Sequence, residues 1–220
     1  MSEPADHFAD LTIARFVERL ASPEPIPGGG SASAIAASLS AALLTMVARL
    51  STGRPKYADY AATHGRAEAA GAAARGRFLD LADQDATAYA TFAAAMKLPR
   101  ETSEELEARA GALRRAAREA AIVPMEILRG CRSLAEEIEA MAGRSNINAA
   151  SDITVAALLV DAAAHGAASN VLVNLPSVKD EGFESSMTAD LMLHLKAIED
   201  LAAHAREVVA SGRLRDPEAT

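Results

Sequence analysis

One acidic residue, Asp85, stands where the helical pattern of this sequence requires an apolar one. The residues that share its face of a helix, at spacings of three and four, are apolar: Phe78, Leu81, Ala88 and Phe92. Partial burial disfavours the charged form of a carboxyl group and raises its pKa towards neutrality, where it can accept and donate protons. Asp85 is therefore a candidate acid or base. An ion pair or hydrogen bond that fixes the register of two helices is the alternative.

A run of three glycines and a serine, Gly28, Gly29, Gly30 and Ser31, follows a proline-rich segment and precedes a stretch of small residues. Glycine has free access to positive φ and no side chain, so this run can turn sharply and present bare N–H groups at a helix N-terminus. Such an end suits a carboxylate or phosphate, and Ser31 is a candidate N-cap. A flexible connector is the alternative. No Lys follows the third glycine, which argues against a nucleotide site.

Two asparagines, Asn170 and Asn174, fall one helical turn apart and continue a ridge that begins at Gly166. Their amides could bind the edge of a heterocycle or could bond neighbouring helices. Cations cluster at the two ends of a predicted long helix: Arg54, Lys56, Lys97 and Arg100. These cations could attract a carboxylate-bearing ligand, or they could be solvated loop charges. The five histidines show no metal-ligand spacing, so we expect no metal site.

The elements that must position these residues are helices bounded by Gly, Pro and capping residues. Six are predicted, over about residues 6–20, 31–50, 57–96, 102–141, 149–174 and 183–211. Nothing in the chain separates two cores, so we expect one all-α domain, a bundle spanning residues 1–220 with a frayed tail over 212–220. The many alanines favour helix, and because alanine buries little area we expect a homodimer that covers more surface.

Composition and net charge indicate which binding partners and which cellular compartment to expect. The net charge of −8 argues against a nucleic-acid binder. A single cysteine, Cys131, fits a reducing compartment, and the acidic amino terminus is unlike a secretion signal. We found no long apolar run that reads as a membrane span. The expected location is the cytoplasm, without a membrane partner.

Seven segments in order make the chain resemble the cyclodeaminase/cyclohydrolase family of tetrahydrofolate enzymes. They are PGGGS at 27–31, GRPKY at 53–57, DQDATAY at 83–89, MKLPR at 96–100, VP at 123–124, NINAASD at 146–152 and GAASNVLVNL at 166–175. The resemblance covers nearly the whole chain. Each segment alone is weakly specific, whereas seven in this order are specific.

The resemblance implies an all-helical homodimer that acts on a one-carbon unit bridging N5 and N10 of tetrahydrofolate, with no tightly bound cofactor. It makes Asp85, the second acid of the Asp-x-Asp-Ala motif, catalytic, the same residue that helical periodicity indicates. It further implies a substrate-binding set made of Gly28, Gly29, Gly30, Ser31, Arg54, Lys56, Asn146, Asn170 and Asn174. The expected reaction is cyclodeamination of formimidoyltetrahydrofolate. The alternatives are hydrolysis of methenyltetrahydrofolate and a helical scaffold without catalysis.

Overall fold

The computed structural model describes residues 7–217 and contains six α-helices within them. These are α1, Ile13–Leu20; α2, Gly29–Ser51; α3, Ala61–Met96; α4, Ser103–Met141; α5, Ala150–Asn174; and α6, Glu181–Ser211. Short 3₁₀ segments cover Phe8–Asp10, Pro55–Tyr60, Ile147–Ala149 and Leu175–Ser177. No strand occurs among the described residues, and the predicted all-α class is confirmed.

Threonine side chains cap the starts of α1 and α4. The region predicted as one helix over 6–20 is a 3₁₀ turn followed by α1, because the Thr12 side chain accepts a hydrogen bond from the Arg15 amide. Asp6 lies outside the described residues. Helix α4 begins as predicted, with Thr102 and Glu105 forming a reciprocal capping box.

Helix α2 lies at the centre of the bundle, in contact with α3, α4 and α5. Two of its buried serines donate to backbone carbonyls of the neighbouring helices, Ser38 to Arg75 and Ser40 to Ala156, so these hydroxyl groups are buried with partners. Small residues let the helices approach closely. A Cβ at Gly71 of α3 would lie 2.9 Å from the carbonyl oxygen of Ala41.

Two segments correct the expectation that no run is suited to a membrane. Helix α2 and the span Ile147–Ser177 are long and apolar enough to cross one, by length and composition alone. Core helices of soluble proteins pass the same test, and most of the apolar window of α2 is buried within the bundle.

The chain after α6 is bonded to the bundle at residues 215 and 216, within the segment for which the sequence predicts a frayed tail. Arg215 holds it down: its guanidinium lies 2.7 Å from Oε1 of Glu139, its amide donates to the Gly143 carbonyl, and its own carbonyl accepts from the Tyr60 hydroxyl. A second arginine, Arg144, donates to the carbonyl of Asp216. Residues 213–216 therefore strap the end of α4 to the start of α3.

Candidate active site

The carboxyl group of Asp85 lies directly against the first turn of α2. A Cβ built on Gly30 would come within 2.1 Å of Oδ1 and 2.5 Å of Oδ2 of Asp85, so only a residue without a side chain leaves room for the acid. Gly28, the N-cap of α2, has an ordinary extended backbone at φ −122°. The glycine run is thus needed for close approach at Gly30, and the positive φ expected from the sequence does not occur there.

Ser31 binds the acid instead of capping its own helix, which corrects the predicted N-cap. Its Oγ lies 3.2 Å from Oδ2 of Asp85 and 3.0 Å from the carbonyl oxygen of Ala82, and its backbone N–H also donates to the carboxylate. The anion-binding end predicted for α2 therefore receives the protein's own carboxylate, delivered by α3.

Burial raises the pKa of Asp85, and the hydroxyl and amide of Ser31, which stabilise its charged form, oppose that rise without cancelling it. The Ser31 hydroxyl has a single proton and two acceptors within reach. It can donate to Asp85 when the acid is ionised, and to the Ala82 carbonyl when a protonated Asp85 donates to Ser31. Asp85 can thus hold either protonation state with its hydrogen bonds satisfied.

A cavity of about 380 Å³ opens beside this acid and has the size of a small-molecule site. Its lining comes from the loop before α2 and from α2, α3, α4, α5 and the segment after α5: Pro25, Ile26, Gly28, Gly29, Gly30, Asp85, Ala86, Tyr89, Phe92, Ala120, Asn170, Val173, Asn174 and Ser177. Asp85 is the one charged residue in this lining. The cavity therefore favours a largely apolar ligand with neutral or cationic polar groups.

Both predicted asparagines line the cavity, and each uses its amide nitrogen within the protein. Asn174 Nδ2 donates to the carbonyls of Ala120, on α4, and of Asn170, so the interhelical interpretation is confirmed for Asn174. Asn170 Nδ2 donates to the Gly166 carbonyl of its own helix. In each residue Oδ1 stays available, so the two side chains can offer hydrogen-bond acceptors to a ligand.

Asp83 and Asp85 have separate environments, as their helical phase predicts. Asp83 accepts from the Phe8 amide and lies 2.8 Å from Nδ1 of His7. Asp85 has no ion pair with a residue in 7–217, so of the two structural alternatives only the hydrogen bond is present.

Arg54, Lys56 and Asn146 are not brought to the Asp85 cavity within one chain. The two cations lie beyond the C-terminus of α2, whose 23 residues separate them from the glycine loop by about 33 Å. They line a second, open cavity of about 420 Å³ together with Asn146. The Asn146 side chain bonds within the protein, because it donates to the carbonyl of Leu50, at the end of α2, and accepts from the Asn148 amide of its own loop.

The sequence interpretation missed Tyr89 as a site residue and assigned Phe92 only to an apolar face, although both line the cavity. Their positions, four and seven residues after Asp85, are the signal that could have found them. Tyr89 is 40% exposed at the cavity and could stack on a planar ligand. Over residues 7–217 no group of three or more His, Cys, Asp or Glu side chains is arranged to hold a metal ion.

Comparison with known proteins shows the family. A cyclohydrolase of Methylorubrum extorquens, named methenyltetrahydrofolate cyclohydrolase, is 34% identical over 194 residues, 88% of this chain and 90% of its own. Mouse formimidoyltransferase-cyclodeaminase is 34% identical over 183 residues, 83% of this chain, which spans only about a third (34%) of that relative. The crystal structure of formiminotetrahydrofolate cyclodeaminase from Thermotoga maritima matches with a TM-score of 0.84 and 30% identity, covering 92% of this chain and 98% of that one. Because the family model described as formiminotransferase-cyclodeaminase also matches residues 12–193, the chain belongs to the formiminotransferase-cyclodeaminase family.

Proposed function

We propose that this protein is a formimidoyltetrahydrofolate cyclodeaminase, which releases ammonia and forms 5,10-methenyltetrahydrofolate. The observation that carries the proposal is a half-buried carboxyl group with a raised pKa, Asp85, as the single charge of a cavity in a chain of this family. A cytoplasmic location and the lack of a tightly bound cofactor remain predictions of the sequence.

Cyclodeamination needs a group that takes one proton and supplies another. N10 of the substrate attacks the formimidoyl carbon and forms a C–N bond, which gives a tetrahedral centre. The formimidoyl group reacts in its protonated, amidinium form, so its outer nitrogen is an NH2 group after the attack. N10 then loses its proton, this NH2 nitrogen gains one, and the C–N bond to it breaks as ammonia leaves with the electron pair of that bond. Asp85 can serve both transfers, because ionised it accepts the N10 proton and protonated it donates to the departing nitrogen.

The surrounding residues support the same assignment. The ionised Asp85 stabilises the positive charge that develops on the methenyl bridge, in a cavity whose lining contains no competing cation. The free Oδ1 atoms of Asn170 and Asn174 suit the N–H groups of a pterin, and Tyr89 and Phe92 offer apolar faces to its rings.

The reaction can be followed directly, because methenyltetrahydrofolate absorbs in the near ultraviolet. With formimidoyltetrahydrofolate we expect a rise in that absorbance together with release of one ammonia per turnover. An enzyme that produces neither signal from the pure substrate would refute the proposal.

A second candidate is methenyltetrahydrofolate cyclohydrolase, favoured by the bacterial relative of that name that matches over nearly its whole length. In this reaction water adds to the amidinium carbon while Asp85 accepts a proton from it. The same absorbance would then fall when methenyltetrahydrofolate is supplied. Rates measured in the two assays decide between the activities.

Asp85 has a matched control two residues away. We expect Asp85→Asn to lower turnover roughly 100- to 10,000-fold, the usual contribution of general acid–base catalysis. Asp83→Asn should change it by less than about threefold, because Asp83 lies outside the lining of this cavity. Near-full turnover of a folded Asp85→Asn variant would overturn the catalytic assignment of Asp85. If calorimetric titration of the wild-type protein with a tetrahydrofolate derivative detected no binding, the noncatalytic scaffold would be favoured.

A further inference from the structure

An arginine of α4, Arg118, holds the first turn of α6. Its Cζ lies 3.9 Å from the centroid of the Phe183 ring, and that ring packs against the hydrophobic core. Its Nη1 donates to Oδ2 of Asp180 at 3.2 Å. A planar guanidinium that stacks on a ring and bonds a carboxylate at the same time is fixed in direction as well as in position.

Asp180 in turn fixes the start of α6, of which it is the N-cap. Its Oδ1 accepts from the Phe183 amide at 3.0 Å, and its own amide donates to Oε1 of Glu184 at 3.2 Å. The hydrogen bonds from the Phe183 amide and from Arg118 hold the pKa of Asp180 below its ordinary value, so at neutral pH the carboxylate is ionised. Asp180 therefore joins α4 to the N-terminus of α6.

The turn between α5 and α6 has a backbone conformation that its sequence does not favour. Lys179 has φ +58°, in the left-handed region that residues with a side chain rarely adopt. Such a conformation persists where the surrounding structure fixes the chain on both sides of it. On one side Val178 is buried, and on the other side Arg118 holds Asp180.

This turn carries part of the wall of the active-site cavity. Asn174 and Ser177, at its start, line the cavity together with Ala120 of α4. The Asn174 side-chain nitrogen donates to the Ala120 carbonyl at 2.9 Å, two residues after Arg118 in the same helix. Helix α4 thus contacts the chain before Ser177 through a backbone carbonyl and the chain after it through the Arg118 side chain.

We propose that Arg118 is a positioning residue of this enzyme, which sets the α5–α6 turn and, through it, the wall formed by Asn174 and Ser177. The inference rests on the proposed function, because it takes the folate as the occupant of the cavity. The contacts of Arg118 go to α6, whereas Asp85 and Ser31 belong to α3 and α2. Arg118 therefore acts on folate binding and leaves the proton transfers of Asp85 unchanged.

A second arginine–aspartate pair between the same two helices provides a matched control. Arg129 of α4 pairs with Asp190 of α6, and the Arg118 and Arg129 side chains are 45% and 51% exposed. The two arginines lie about 16 Å apart along the axis of α4. Neither Arg129 nor Asp190 lines the cavity. Arg129→Ala thus removes a comparable ion pair without touching the α5–α6 turn.

The kinetic test separates positioning from stability. Arg118→Ala should raise KM for the folate about three- to tenfold, the range of one weakened hydrogen bond, with kcat within about twofold of the wild type. Loss of stability alone lowers the fraction of active enzyme and leaves KM unchanged. Arg118→Lys keeps the charge but not the flat stacked group, so it should restore KM only in part. An unchanged KM in Arg118→Ala, or an equal rise in Arg129→Ala, overturns the proposal.

The contact itself is tested without activity, by amide hydrogen exchange of peptides that cover residues 175–184. The amides of Val178, Phe183 and Glu184 are hydrogen-bonded within this segment. They should exchange faster in Arg118→Ala, by about threefold or more, and at the wild-type rate in Arg129→Ala. Equal exchange in Arg118→Ala and the wild type would refute the role of Arg118.

Failure of the proposed function has a different signature. A wild type that turns over neither folate refutes that function, and with it the folate as occupant of the cavity, even if exchange over residues 175–184 responds to Arg118→Ala. An active wild type whose Arg118→Ala variant keeps the wild-type KM refutes the positioning role alone, and the enzymatic assignment stands.

Discussion

The contact between Gly30 and Asp85 allows one substitution to test the site without touching the acid itself. In Gly30→Ala the new Cβ would lie 2.1 to 2.5 Å from all three carboxyl atoms, against about 3.4 Å for an ordinary contact. The acid must therefore retreat by about 1 Å, and a displacement of that size costs roughly 100-fold in rate, or about 2.7 kcal/mol.

Gly29→Ala is the matched control. A Cβ at Gly29 meets only the Asn170 side-chain nitrogen, at an ordinary 3.5 Å. Both substitutions replace glycine by alanine in the first turn of the same helix, where alanine is the better helix former by about 0.5–1 kcal/mol. Thermal melts of the two variants should therefore stay within a few degrees of the wild type.

The assay is the initial rate of methenyltetrahydrofolate formation as a function of pH. We expect Gly29→Ala to retain most of the wild-type kcat, and Gly30→Ala to lose about two orders of magnitude. The acidic limb of the Gly30→Ala profile should also move to lower pH, because the displaced carboxyl is more solvated and its pKa falls towards the ordinary value. A Gly30→Ala enzyme within twofold of Gly29→Ala would refute the placement of Asp85.

Three further outcomes are expected. The pKa of Asp85 is raised in the folded state, so the folded protein binds this proton more tightly than the unfolded chain does. The free energy of unfolding should therefore fall as pH rises from about 4 through the folded-state pKa. Urea titrations of Asp85→Asn should lack this pH-dependent component. Burial raises the pKa of the Cys131 thiol to about 12, so a disulfide reagent at pH 8 should label it only after unfolding, and rapid labelling of the native protein would contradict its burial. Arg215→Ala should cost about 2 kcal/mol in chemical denaturation, since it removes a bond to the half-buried Glu139 carboxylate; an unchanged midpoint would mean that the strap adds nothing.

The helices and the position of Asp85 were predictable because both depend on local periodicity. Five apolar or acidic positions at spacings of three and four define a face wherever the chain is helical, and that pattern placed Asp85 among apolar residues. Gly and Pro then marked the ends of α2 and α5 to within two residues.

The misplaced details depend on contacts between distant parts of the chain. Ser31 has the sequence of an N-cap, yet the approach of Asp85 from α3 gives its hydroxyl another partner. The tail contains polar and charged residues typical of a frayed end, but Glu139 and Gly143 are 70 or so positions away and supply its bonds. Arg54 was grouped with the glycine loop because the resemblance assigns both to the substrate, although the 23 residues of α2 place them at opposite ends of that helix.

The acceptor-rich character of the cavity bears on how small compounds should be chosen to probe it. One carboxylate and two amide oxygens, with flanking aromatic rings and no basic side chain, select for donors such as aminopyrimidines and amidines. Fragments that carry a carboxylic acid would be repelled by the Asp85 carboxylate, the one charge in this lining. Protonated bicyclic amines should therefore be soaked into crystals of this protein before carboxylic acids are tried.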